Sequence, residues 1–144
     1  MQGVLKRPAM MVLFQAHSGV RFLVLLAAVV ALAYFTFGLV TRQTPGRGAR
    51  VVGSIFIGLL DLQVLLGAVL VLLWPWYPAL AGHLAMMILA VITAHVLLAI
   101  NRRRARPGFA LSFAAVGVAL LLILGGIYAI RRDPVSPLRM TLVR

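Results

Sequence analysis

Six side chains could do chemistry in this sequence, and all lie within or at the edge of long apolar stretches: His17, Arg21, Asp61, Gln63, His83 and His95. A neutral imidazole is a metal ligand and a proton carrier. A guanidinium or carboxylate at membrane depth needs a partner, because an unpaired charge there is costly. His17 falls about five residues into one helical stretch, and His83 about five into another that starts from the same side of the membrane. The spacing therefore predicts two imidazoles at one depth on different helices. Such a pair suits the axial ligands of a b-type haem lying between helices. Beyond His83 the same face continues with Met86, Met87, Ala90 and Ala94, soft and small side chains able to line a macrocycle edge. The competing reading has each imidazole near the interface and only hydrogen-bonded.

Arg21 follows His17 by one helical turn, so it lies on the same face about 6 Å deeper. Asp61 falls near the middle of its stretch and is the only acid inside any of them, so Arg21 and Asp61 are expected to meet. An arginine there could steady a haem propionate, and the acid could serve a proton path; a plain ion pair fixing the bundle is the alternative. Gln63 is ~200° round the helix from Asp61 and shares its face with Phe56 and Gly67. From there it can hydrogen-bond to a neighbouring helix, a histidine nitrogen included. His95 lies about 18 Å beyond His83 and ~120° round the helix, a poor register for stacking two haems on one face. It is open to two readings, a hydrogen-bonding residue or a ligand to a second cofactor.

The elements that must position these residues are Phe22–Val40, Val51–Leu73, Ala79–Ile100 and Phe109–Ile130, about 19 to 23 residues each. About 20 helical residues cross a hydrocarbon core of ~30 Å. All seven prolines fall outside these runs, and Met10–Val20 is apolar enough to lengthen the first helix to nearly 30 residues. The connections are short: TRQTPGRGAR, then Trp74-Pro75-Trp76-Tyr77-Pro78, then NRRRARPG. Short connections force antiparallel neighbours, so the expected fold is all-α, a single up-down four-helix transmembrane bundle. The uncharged aromatic connection reads as a belt turn at the headgroups, and the tail RRDPVSPLRMTLVR is too short and Pro-broken for a domain. Small residues at helical spacing, Ser54, Gly58 and Ala68 beside Asp61 and Ala114, Ala115, Gly117, Gly125 and Gly126 later, predict close helix packing.

With 63% apolar residues and a mean hydropathy of +1.08, the chain is not an ordinary soluble domain. The first run reads as a span and not as a cleaved signal, since it has no small-residue cleavage site and three further spans follow. Thirteen Arg and one Lys against two Asp give +12, crowded into loops and tails where they meet anionic headgroups. No soluble basic module is present, so nucleic acid is not an expected partner. Seven Arg on the first and third loops face Lys6 and five Arg at the other end, too even a split to fix orientation; the uncharged aromatic connection tips it towards cytoplasmic first and third loops. Without cysteine there is no thiolate metal site or covalent haem attachment. No nucleophile–base pair, carboxylate dyad or Gly-rich phosphate loop appears, so hydrolytic and transfer enzymes are not expected.

The segments His17-Ser18-Gly19-Val20-Arg21, Asp61-Leu62-Gln63-Val64-Leu65-Leu66-Gly67 and Gly82-His83-Leu84-Ala85-Met86-Met87 together resemble small four-helix bacterial membrane proteins labelled cytochrome b-like. Their pattern is His-Ser-x-x-Arg, then Asp-x-Gln with Leu-Leu-Gly, then an acidic residue and His followed by two Met. One departure is plain: Gly82 stands where that acidic residue belongs, removing a carboxylate partner for the imidazole. The resemblance implies haem b and electron transfer in the bacterial plasma membrane, within a respiratory or photosynthetic complex. Two rival expectations are a cofactor-free accessory subunit of a larger membrane complex and a small dimeric transporter.

Overall fold

A computed structural model describes the chain over residues 2–73 and 75–131. Four helices follow one another: α1 Gln2–Val40, α2 Arg47–Leu73, α3 Pro78–Arg103 and α4 Phe109–Arg131. Each contains a segment long and apolar enough to cross a membrane: Pro8–Val40, Arg47–Leu73, Pro78–Arg103 and Phe109–Ile130. The expected all-α multi-pass bundle is therefore the observed one. The tail beyond Arg131, and Trp74 in the expected aromatic turn, lie outside the described residues.

The helices overrun the apolar runs at most ends, for identifiable reasons. α1 is 39 residues long and carries Pro8 inside it, whereas the sequence placed that proline outside a helix. A proline in the second turn gives up one backbone bond, and only that turn feels the loss. α3 starts on Pro78, whose missing N–H is one of the orphan donors of a first turn anyway. At the end of α1, Gln43 N–H donates to the Gly38 carbonyl and Arg42 N–H to the Leu39 carbonyl, with Arg42 at φ 53°. These are the two bonds of a Schellman cap, with arginine in the left-handed position that glycine usually fills. It turns the chain sharply into the first loop.

The core is a set of inward stripes: Val24, Ala28, Ala31 and Phe35 on α1; Phe56, Leu60 and Gln63 on α2; Ala90, Ala94 and Leu98 on α3; Val116, Ala119 and Ile123 on α4. Alanines on facing helices let the backbones approach, as membrane packing requires. α3 packs most closely on α4 and α1 on α2, while α1 also meets α4; α2 and α3 touch far less. The bundle is thus two tight hairpins with one loose seam. The α4 glycines fit the expected packing role. Ser54, Gly58 and Ala68 do not, because that face of α2 points outward and is exposed.

The two ends of the bundle differ. At the loop-one and loop-three end, the rings of Tyr34, Phe35 and Phe109 stack edge-on or tilted at 6.1–6.2 Å between centroids. Beside them the buried Asn101 side chain donates to the Gly108 carbonyl and the Ser112 hydroxyl, both at 2.8 Å, and accepts from Gly108 N–H at 3.0 Å. At the opposite end the interior is polar.

Candidate functional site

His17 and Gln63 meet at that polar end, where the Gln63 amide nitrogen donates to His17 Nε2 at 3.2 Å. Gln63 lies on the buried stripe of α2 and reaches a histidine on a neighbouring helix, where the residue pattern had favoured plain interhelical packing over a histidine partner. In this pairing the proton of a neutral His17 sits on Nδ1. That atom and Gln63 Oε1 are buried and have no hydrogen-bond partner. The ring itself lies against Gly67, one turn further along α2. A Cβ built on Gly67 would come within 3.1 Å of His17 Cε1.

His83 has a matching environment on the other hairpin. Its Nδ1–H donates to the Gly126 carbonyl of α4 at 3.1 Å. A Cβ on Gly126 would stand 3.4 Å from that nitrogen and only 2.6 Å from the Met87 methyl. Each imidazole is therefore seated on a glycine of its neighbouring helix. The sequence marked Gly126 as a small packing residue and placed Gly67 on the face of Gln63, but gave no sign that a histidine occupies either space. Met87 is half-buried against the core and Ala90 and Ala94 are fully buried, while Met86 sits at the rim with 36% exposure.

His17, Arg21 and His83 belong to the same end of the bundle, with His17 facing α2 and His83 facing α4. Arg21 lies with its guanidinium carbon 4.9 Å from the centre of the Phe22 ring, a cation–π contact. It does not meet Asp61, contrary to the expected ion pair. Asp61 Oδ1 instead accepts from His95 Nε2 at 2.8 Å, across the loose α2–α3 seam. The physical reason is rotation: Asp61 lies off the inward stripe that carries Gln63, so it faces α3 and the exterior, while the Arg21 guanidinium lies over the Phe22 ring of its own helix. His95 accordingly has a carboxylate partner and stands apart from the other two histidines.

A haem held by two histidines needs each imidazole in the tautomer with Nδ1–H and a lone pair on Nε2. The hydrogen bonds of both rings are those this form makes. For His83 the Gly126 carbonyl fixes it and no described residue competes for Nε2; for His17 the Gln63 amide occupies the lone pair that iron would take. The donor set fits, with Gln63 as competitor at one ligand. Among the described residues, no group of three or more His, Cys, Asp or Glu comes together as a metal site. Asn101 is the polar residue of structural weight that the sequence reading missed. Its signal was a lone amide at the end of an apolar helix. Comparison with family models, curated proteins and solved structures finds no match to this chain.

Proposed function

We propose that this chain is a b-type haem protein of the bacterial plasma membrane that passes electrons as a subunit of a respiratory or photosynthetic complex. The observation that carries the reading is that His17 and His83, from separate spans, fall at the same end of the bundle, each seated on a glycine of its neighbouring helix. His17 and His83 are the axial ligands in this reading. Bound there, the haem supplies reversible one-electron chemistry. The Gly126 carbonyl orients His83 and raises its basicity as a ligand. Arg21 has no carboxylate partner among the described residues, which leaves its charge for a propionate. The loop arginines hold the bundle against anionic lipids.

Visible spectra of the purified full chain, oxidised and dithionite-reduced, test the proposal. The expected result is a reduced b-type spectrum that disappears in His17→Ala and in His83→Ala. A colourless preparation from haem-replete cells defeats it.

One observation favours a second reading. The His17–Gln63 bond already satisfies one ring nitrogen, as in a cofactor-free accessory subunit whose polar residues serve only packing. That reading expects colourless protein with constant co-purification of its partner subunits.

A further inference from the structure

Two arginines of α2 and one of α3 meet at a hollow on the bundle exterior. Arg47, Arg50 and Ser54 lie on one face of α2, at spacings of three and four residues. With Val51 and Ile55 they line an open hollow of about 510 Å³. Across the loose seam, Arg102 of α3 donates from Nη2 to the Ser54 hydroxyl at 3.3 Å. A narrower cleft of about 80 Å³ adjoins the hollow at Arg50 and is lined also by Arg102 and by the buried Asn101 and Ser112. Nothing acidic answers these charges. Asp61, the only acid among the described residues, is bonded to His95.

We propose that this hollow binds one anionic phospholipid, its phosphate held by Arg47, Arg50 and Arg102 and an acyl chain lying along Val51 and Ile55. Charge complementarity carries the headgroup half. Guanidinium forks match phosphate oxygens, and the Ser54 bond already holds one of the three forks at the wall. Depth carries the acyl half. α2 has 27 residues, or ~40 Å, against a hydrocarbon core of ~30 Å. Its first turn, like the last turn of antiparallel α3, therefore stands among the headgroups, while Ile55 lies two turns further in. Val51 and Ile55 are 48% and 55% exposed, an apolar strip that a soluble anion would leave bare and a lipid tail covers. A saturable site of this kind differs from the general attraction of a basic rim for anionic lipid, and it does not depend on haem.

Native mass spectrometry of the full chain tests the site, with phosphatidylglycerol and phosphatidylcholine supplied in equal amounts. The expected spectrum shows one phosphatidylglycerol retained per chain and little phosphatidylcholine. Arg50→Gln/Arg102→Gln, with helicity checked by circular dichroism, should hold the anionic lipid about thirtyfold more weakly, the scale of two charges at the headgroups. Arg50→Gln alone, which breaks no hydrogen bond among the described residues, should show part of that loss. Arg104→Gln/Arg106→Gln removes equal charge from the same rim but outside the hollow, and should retain the lipid as the native chain does. Equal losses from the two double variants would mean diffuse attraction and overturn the proposal. Retention of both lipids in proportion to supply overturns it too. So does complete displacement of the lipid by millimolar inorganic phosphate, which would give the hollow to a soluble anion.

Discussion

Two polar pairs leave α2 from positions two residues apart, and they live in different solvents. Gln63 turns inward to His17, where its own oxygen and the imidazole Nδ1 are buried without partners. Asp61 turns outward to His95, where both side chains remain about half exposed. The chemistry is similar, an imidazole held by a polar group of α2, and only the helical rotation differs. The inner pair is enclosed by the bundle, and the outer pair stands on its surface. Two imidazole pairs on one helix thus meet different surroundings through ~200° of rotation.

The sharpest way to break this contrast is to remove one histidine at a time. His83→Ala should abolish the reduced b-type absorption, while His95→Ala should leave it intact in the same spectrum. Equal loss from both would place His95 in the inner site and sink the distinction. Filling space on the two faces of α2 comes next. Gly67→Val drives a side chain into the His17 ring and should cost about 1–3 kcal/mol in detergent unfolding, as overpacking does, with haem content falling alongside. Gly58→Ala meets open space and should leave the fold unharmed or gain up to about 1 kcal/mol, because glycine is a poor helix former.

Gln63→Leu sharpens the inner half. It removes one interhelical hydrogen bond, worth about 1 kcal/mol in a membrane bundle, and frees the His17 Nε2 lone pair. Haem titration should therefore show binding at least as tight as in the native chain. Weaker binding would make Gln63 a support for the ligand and not its competitor. The smallest effect belongs to the α1 cap. Arg42→Gly relieves a left-handed side-chain conformation and should stabilise the fold by about 0.5–1 kcal/mol in the same unfolding measurement, with no change in colour or oligomeric state.

The fold was legible because a bilayer leaves few choices: apolar runs of spanning length with short connections can only form an up-down bundle. That His17 and His83 fall at the same end of the bundle was legible for the same reason, since short connections fix which end each helix starts from. Rotation about each helix axis was less so. The ~200° separation of Asp61 from Gln63 was correctly read, but not which of them faced the interior. Arg21 was therefore assigned the nearest available opposite charge, while the real partner of Asp61 was an imidazole on α3. Glycines gave the same difficulty. Gly67 and Gly126 were visible as small residues, but their role as seats for imidazoles depends on which side chain faces them from the next helix.

Asn101 has a consequence reaching beyond the bundle interior. By gripping Gly108 from both its amide nitrogen and its oxygen, it ties the start of the α3–α4 connection to its finish. Arg102, Arg103, Arg104 and Arg106 all project outward from this stapled segment. They do not trail on a slack tether. The backbone that carries these guanidinium groups is tied down, so a phosphate layer meeting that rim encounters positive charge rooted in an ordered turn.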